Sequence, residues 1–213
     1  MKNSIRRTSF LTVAVTVLLM SVSAVAGPSY VSWEFSSAGN AGNSGNGYSL
    51  GEVFVPTRNI WVNVLGYYGS VEGFAESHGV GLYDASGNLL STTTINDSSF
   101  LSTTHFVGNA VTPVELFAGQ TYVIVGASGV VDPYTFNDVG FTVYAPINLL
   151  GDNWILNGGG LQFTGTTVIG DVNDGYWGPA FGWSAATPEP SSLLLLGSGC
   201  FGVLGMIRRR FLS

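Results

Sequence analysis

Alternation of apolar and polar residues at every second position is the feature that most constrains the fold of this chain. It is clearest at residues 31–35 (VSWEF), and Ile60, Val62 and Val64 share the same period of two. Successive side chains of a strand point to opposite faces, so this alternation is typical of strands with one buried face. No stretch between residues 27 and 187 shows sustained helical periodicity, which favours an all-β body.

Short apolar segments separated by turn-forming residues extend this pattern along the chain. Residues 121–125 (TYVIV) form an almost continuous apolar run, which suits an inner strand of a sandwich. Turns are predicted at residues 84–88 (DASGN) and at residues 118–120 (AGQ). Many short strands joined by glycine-rich turns predict a single antiparallel β-sandwich over residues 27–186, similar to a jelly roll.

A glycine-rich stretch at residues 36–47 (SSAGNAGNSGNG) contains no apolar side chain except alanine. Such a segment has nothing to bury, so we expect an exposed loop between the first two strands. A phosphate-binding loop is not indicated, because neither a strand–loop–helix pattern nor a nearby lysine accompanies the glycines.

The first 26 residues have the three parts of a secretory signal peptide, namely a basic start, an apolar stretch and an A-x-A cleavage site formed by Ala24 and Ala26. We therefore predict a signal helix that is removed on export and leaves Gly27 as the first residue of the mature protein. General secretion is preferred to the twin-arginine route, because Ser9 stands where that motif usually has an apolar residue.

The tail, residues 187–213, also has three parts. In order they are the motif Pro188, Glu189 and Pro190, the apolar run 191–207, and the basic cluster Arg208, Arg209 and Arg210. At about 1.5 Å per residue, a helix over the apolar run spans roughly 25 Å, close to the lower limit for crossing about 30 Å of hydrocarbon. We predict a short transmembrane helix with the arginines on the cytoplasmic side.

These three parts in this order resemble the PEP-CTERM sorting tail of Gram-negative bacteria. The resemblance implies that Pro188, Glu189 and Pro190 are recognised by an exosortase, an integral-membrane cysteine protease. It also implies a temporary anchor, because the protease cuts near the motif and passes the body to the cell surface or to an exopolysaccharide matrix. The alternative is an ordinary permanent anchor.

A second resemblance concerns the body. Residues 78–90 (HGVGLYDASGNLL) and 111–125 (VTPVELFAGQTYVIV) are similar to a β-sandwich module that recurs in bacterial surface and PEP-CTERM proteins. Both segments are mainly strand–turn patterns. The resemblance therefore supports the fold and implies no functional residue.

The formal net charge of the whole chain, −6, conceals a strongly acidic body. Between residues 27 and 187, Arg58 is the only lysine or arginine against twelve acidic residues, a formal net charge of −11. Such a surface repels phosphate backbones, which argues against nucleic-acid binding, and it attracts divalent cations. Solubility explains the acidic residues equally well. The one cysteine, Cys200, lies in the tail, so the body forms no disulfide.

Histidine is scarce in this chain. His78 and His105 are the only two, and Glu72 and Glu76 lie close to the first in the sequence. An acid–base pair or a metal site is conceivable there. The segment lacks a zinc spacing and a third ligand, so we expect a surface histidine at position 78. We also predict that the body is not an enzyme.

A calcium site is the one cofactor hypothesis that the sequence offers. Asp171, Asn173 and Asp174 place oxygen ligands beside Gly175, as calcium-binding loops do. The segment departs from the EF-hand pattern, because glycine comes one position early and Gly182 stands where a bidentate glutamate belongs. A plain β-turn is preferred, and calcium is the alternative.

Aromatic residues are concentrated in the last third of the body. Trp154, Tyr176 and Trp177 are candidate glycan-binding residues, because exposed rings on a sandwich form flat platforms for the apolar faces of sugars. Trp177 lies among glycines, in a loop-like setting that would leave it exposed. For each of these tryptophans, and for Trp183, a place in the core is preferred, and an exposed glycan-binding position is the alternative.

These observations together predict an exported, non-enzymatic protein of the cell surface or the exopolysaccharide matrix. Its expected partners are an exosortase-type membrane protease, a surface glycan or exopolysaccharide, and the membrane itself before processing. The second hypothesis is a carbohydrate-binding module attached to the extracellular matrix. The third is a polysaccharide-active enzyme.

Overall fold

The computed structural model describes residues 30–42, 45–69, 73–96, 101–102, 105–170 and 175–185. Within these residues every regular element is a strand and every strand pairing is antiparallel, which confirms the all-β, antiparallel prediction. The strands are β1 (Tyr30–Val31), β2 (Trp33–Glu34), β3 (Asn40–Gly42), β4 (Tyr48–Pro56), β5 (Ile60–Tyr68), β6 (His78–Asp84), β7 (Leu89–Ile95), β8 (Leu101–Ser102), β9 (Phe106–Leu116), β10 (Tyr122–Ala127), β11 (Tyr134–Phe136), β12 (Thr142–Val143), β13 (Ile147–Leu156) and β14 (Pro179–Ala185).

Most of these strands belong to two five-stranded sheets. The first sheet has the order β1-β14-β5-β9-β8, and the second has the order β13-β4-β10-β6-β7. The runs β1-β14-β5-β9 and β4-β10-β6-β7 follow the strand order of a jelly roll, with β8 and β13 added at the edges. Because β14 lies between β1 and β5, the first sheet forms only when the two ends of the described body meet.

The hydrophobic core lies between the two sheets. Phe54 of the second sheet and Phe181 of the first have ring centroids 4.7 Å apart within one buried cluster. Strand β10 is buried along its whole length, because it pairs with β4 on one side and with β6 on the other and both of its faces are covered. This confirms the inner strand that residues 121–125 predicted.

A smaller hydrophobic cluster lies on the opposite face of the second sheet. There Val53 and Val123 pack against Leu161 and Phe163, which belong to the segment that follows β13. Asn153 holds this covering segment. Its Nδ2 donates hydrogen bonds to three carbonyl oxygens of the segment, those of Thr164, Gly165 and Thr167.

Both turns predicted from the sequence are present. Asp84 Oδ1 accepts hydrogen bonds of 2.9 Å from the backbone N–H groups of Ser86 and Asn88 and so closes the turn between β6 and β7. Gly119 lies in the turn between β9 and β10 with φ of 75°. This left-handed conformation favours glycine, because a residue without Cβ adopts it at little cost.

The glycine-rich segment 36–47 is only in part the exposed loop that we expected. Most of its described residues are exposed, yet Asn40–Gly42 form β3 and pair with Tyr134–Phe136. In this pairing Gly42 lies opposite Tyr134, whose ring occupies the space that a Cβ would need. Backbone pairing of this kind requires no apolar side chain, so the composition of the segment did not reveal it.

Several predictions fall outside the described residues. They concern the signal peptide (1–26), its cleavage site and the sorting tail (187–213) with its transmembrane helix. Among the residues that are described, no helix has the length and hydrophobicity needed to cross a membrane. The last described strand of the body ends at Ala185.

Candidate functional site

Five aromatic rings form a connected surface patch, here called the ring patch. Its members are Tyr48, Tyr134, Phe136, Trp154 and Tyr176. The ring centroids of Tyr48 and Trp154 lie 5.5 Å apart, those of Tyr48 and Tyr134 5.9 Å, and those of Tyr134 and Tyr176 5.6 Å. All three pairs meet edge to face, the geometry that aromatic quadrupoles favour. Trp154 is 39 % exposed, and the other four rings are half-buried.

The strand register explains how the ring patch is assembled. Trp154 lies opposite Leu50 on the β13–β4 ladder, so it is the diagonal neighbour of Tyr48. Tyr134 comes from β11, and Tyr176 reaches it because Thr135 of β11 bridges to the residue that follows Tyr176. Two of the three candidate glycan-binding residues, Trp154 and Tyr176, thus belong to one patch.

The Tyr134 hydroxyl in the ring patch is a neutral hydrogen-bonding group. Burial raises the pKa of Tyr134 above its ordinary value, and the neighbouring Tyr48 and Tyr176 raise it further. A neutral phenol both donates and accepts hydrogen bonds. The patch therefore combines apolar ring surface with polar groups, the combination that sugar hydroxyls and sugar faces require.

Trp177 lies beneath the surface and not in the ring patch. Its side chain is 0 % exposed, its ring stacks on Phe141 at 4.1 Å, and it lies 6.4 Å from the ring of Trp33. The preferred core position is therefore confirmed for Trp177 and for Trp183, and the exposed alternative does not hold for them. Trp154, for which the core was also preferred, is instead 39 % exposed.

His78 is likewise inside the protein, so the predicted surface histidine is wrong. The residue is 0 % exposed, and its ring stacks parallel to that of Tyr67 with centroids 4.3 Å apart. Its Nδ1 lies 3.0 Å from the carbonyl oxygen of Ala127, and its Nε2 lies 3.1 Å from Oδ2 of Asp132. The carboxylate partner comes from a distant loop and could not be identified from sequence spacing.

Glu76 and Asp132 bind each other's loop, an arrangement we call the loop clasp. Asp132 accepts hydrogen bonds from the backbone N–H groups of Ala75 and Glu76, while Glu76 Oε1 accepts from those of Val131 and Asp132. Burial raises the pKa of Asp132, but the backbone hydrogen bonds and His78 outweigh it and lower the pKa below its ordinary value. The clasp is therefore built around a carboxylate, and it joins the approach to β6 to the segment after β10.

A second pair of acidic side chains lies inside the sandwich. Glu52 of β4 and Asp152 of β13 are directly opposite each other, and both are buried. Tyr176 N donates a 3.2 Å hydrogen bond to Asp152 Oδ2. Burial raises the pKa of Glu52 well above its ordinary value, and the charge of Asp152 raises it further. Sequence reasoning missed this pair, because the two residues are distant in the chain.

The remaining predicted site residues lie outside the described part of the chain. They are the sorting motif Pro188, Glu189 and Pro190, and the calcium candidates Asp171, Asn173 and Asp174. Within the described residues, no three His, Cys, Asp or Glu side chains come together as metal ligands.

An antiparallel all-β body followed by a sorting motif defines the class of this protein. Residues 34–147, just over half of the chain, match the family described as a domain of unknown function, DUF4082. The chain belongs to this family. The match ends where β13 begins, so β13 and β14 complete the two sheets beyond it.

The tail has its own match. Residues 186–210 match the PEP-CTERM protein-sorting motif, which confirms the resemblance of the tail. The motif implies export and sorting by an exosortase. No curated protein matches the chain.

Proposed function

We propose that the body of this protein, once the exosortase has cut the tail, serves a non-enzymatic structural or adhesive role at the cell surface or in an exopolysaccharide matrix. The observation that carries this proposal is the position of the sorting motif relative to the fold. The last described strand, β14, ends at Ala185, and the motif match begins at residue 186. A cut within the motif removes none of the strands that the structure describes, so the released body keeps all of them.

The negative charge of the body supports a location in an exopolysaccharide matrix. With one arginine against twelve acidic residues between positions 27 and 187, the body is repelled by anionic lipids and nucleic acids. The arginine itself, Arg58, lies over the ring of Trp183, with its Cζ 5.6 Å from the ring centroid. Neutral glycans and divalent cations are the extracellular components that such a surface tolerates.

A non-enzymatic role is supported by the contacts that both histidines make inside the protein. His78 is buried and bonded to Asp132. His105 Nδ1 lies 2.8 Å from Glu34 Oε1, and its ring stacks on Phe35 at 4.3 Å. Each histidine is therefore committed to internal contacts, whereas a general acid or base must reach its substrate.

The distribution of the body between cells and polymer tests this role. The native chain should be expressed in bacteria that have an exosortase, with and without synthesis of the exopolysaccharide. We expect the processed body to be recovered with the polymer, and to appear free in the medium when no polymer is made. The same distribution in both strains would contradict a matrix role.

Carbohydrate binding is the second candidate, and the ring patch favours it. Trp154→Ala removes the most exposed ring of the patch, so it is expected to reduce retention of the protein on isolated exopolysaccharide by about tenfold or more, as loss of one well-placed aromatic contact does. Trp61→Ala is the matched control, because Trp61 is also a strand tryptophan, is 37 % exposed, and lies outside the patch. Equal retention of the two variants would contradict carbohydrate binding by the ring patch.

A further inference from the structure

Glu52 is the most unusual buried side chain in the described part of the protein. It is 0 % exposed, and it lies on β4 between Ile124 of β10 and Asp152 of β13. Both of its carboxylate oxygens are enclosed, and neither has a hydrogen-bond partner among the described residues. A buried carboxylate is costly unless a donor, a proton or a cation satisfies it, so Glu52 requires a proton or a cation as its partner.

Asp152 supplies a second acidic group on the same face of the sheet. Directly opposite residues of an antiparallel pair point to the same side, and Asp152 is directly opposite Glu52. Among the described residues the only arginine or lysine is Arg58, and it lies over Trp183 and not beside Glu52 and Asp152. Two like charges enclosed together are stable only when a cation or a proton is shared between them.

The backbone of three other residues contacts Asp152. The carbonyl oxygen of Asp152 accepts hydrogen bonds of 2.9 Å and 3.2 Å from the N–H groups of Ile169 and Gly170. Gly170 lies so close to the Asp152 carboxylate that a Cβ at that position would overlap it. Tyr176 N donates to the same carboxylate. The residues on both sides of positions 171–174 in the sequence therefore contact Asp152.

We propose that Glu52 and Asp152 bind a calcium ion. Carboxylate oxygens are the hard ligands that calcium prefers, and the pair lacks the nitrogen and sulfur ligands that select transition metals. This site does not depend on the proposed surface role of the body.

Calcium binding by the full chain, purified and freed of metal with a chelator, tests the proposal. Titration calorimetry with calcium chloride is expected to show one ion per chain, with a dissociation constant of about 1 mM or tighter, as in extracellular calcium modules. The thermal midpoint is expected to rise when calcium replaces the chelator. No heat of binding and no shift of the midpoint in the unmodified chain would overturn the proposal.

Two variants locate the ion. Glu52→Gln and Asp152→Asn keep the side-chain shape and remove one ligand charge, so each is expected to weaken calcium binding at least about tenfold. Glu52→Gln also removes a buried charge, so its metal-free form is expected to unfold at no lower a temperature than the unmodified chain. That comparison separates loss of binding from loss of fold. Glu115→Gln on β9 is the control and is expected to bind like the unmodified chain, whereas unchanged affinity in both site variants would overturn the assignment.

Discussion

Nε2 of His78 lies 3.1 Å from Oδ2 of Asp132, and its Nδ1 lies 3.0 Å from the carbonyl oxygen of Ala127. Both partners accept hydrogen bonds, so a ring nitrogen that carries a proton donates it to one of them. The ring lies between the Asp132 carboxylate and the face of Tyr67, which is parallel to it at 4.3 Å. This contact anchors the loop clasp to the core.

The clasp predicts that Asp132→Asn destabilises the fold. Asparagine keeps one oxygen acceptor but loses the charge that faces His78, so the free energy of unfolding at pH 7 is expected to fall by about 1–3 kcal/mol. Urea unfolding followed by tryptophan fluorescence measures this difference. Glu115→Gln is the control, because its hydrogen bond to Asn59 lies at the surface, and it is expected to change the free energy of unfolding by less than about 0.5 kcal/mol.

The pH dependence of this difference gives a second test. The pKa of Asp132 is lower in the folded protein than in the unfolded chain, so its carboxylate stabilises the fold above the ordinary aspartate pKa of about 4. That contribution is lost as the pH falls through the lowered pKa of the folded state. The difference in stability between the unmodified chain and Asp132→Asn is therefore expected to shrink as the pH falls below about 4. A difference that stays constant from pH 7 to pH 3 would contradict the ionic role of Asp132.

Trp177→Ala and Trp154→Ala are expected to differ sharply in their effect on stability. Trp177 is fully buried between Trp33 and Phe141, so its truncation leaves a large cavity and is expected to cost about 3–5 kcal/mol. Trp154 is 39 % exposed, and its truncation is expected to cost about 1 kcal/mol or less. Thermal unfolding of both variants measures the contrast. Similar midpoints for the two would place Trp177 outside the core.

Two glycines with the same backbone conformation allow the steric contact of Glu76 in the loop clasp to be tested. Gly129 has φ of 67° and Gly119 has φ of 75°, so alanine is strained by about 1–2 kcal/mol at either position. At Gly129 a Cβ would also overlap the carboxylate of Glu76, whereas nothing lies near Gly119. Gly129→Ala is therefore expected to destabilise the fold by at least about 1 kcal/mol more than Gly119→Ala. Equal denaturation midpoints would show that Glu76 does not occupy this position.

The family match is expected to be too short to fold. A fragment of residues 34–147 lacks β1 and β14, which pair with each other in the first sheet, and nearly all of β13, which pairs with β4. The loss of β14 also leaves β5 without its partner on that side. Amide hydrogen exchange is expected to show little protection in this fragment and strong protection of β10 in a chain that continues through Ala185. Strong protection of β10 in the short fragment would contradict the closure of the first sheet by β14.

Local sequence patterns predicted those parts of the fold that depend on local chemistry. Residues 121–125 indicated an inner strand because all but one are apolar, and Asp84 and Gly119 lie in turns that their neighbours encode. The buried position of His78 was missed because its partner Asp132 is 54 residues away. An exposed Trp177 stayed open as an alternative because the glycines beside it are typical of loops, while the rings that cover it come from distant segments.

The candidate sites also have parts that the local sequence predicts and parts that depend on residues distant in the chain. Trp154 and Tyr176 were identified from the sequence as candidate binding residues. Their contacts with Tyr48 and Tyr134 could not be predicted, because those contacts depend on how the strands pair. The sorting motif was recognised from sequence because a processing enzyme reads it as a linear segment, and the motif match at residues 186–210 agrees.

Intact mass and cell fractionation, compared in cells with and without the exosortase, test the delivery of the body most directly. With the protease present, we expect a body that has lost its tail and has left the membrane fraction, while cells without it are expected to hold the uncut tail in the membrane. Because β14 ends at Ala185, the released body is expected to unfold at the same temperature as the uncut chain. An uncut tail in both strains would contradict exosortase-dependent delivery and would make this a stably anchored protein.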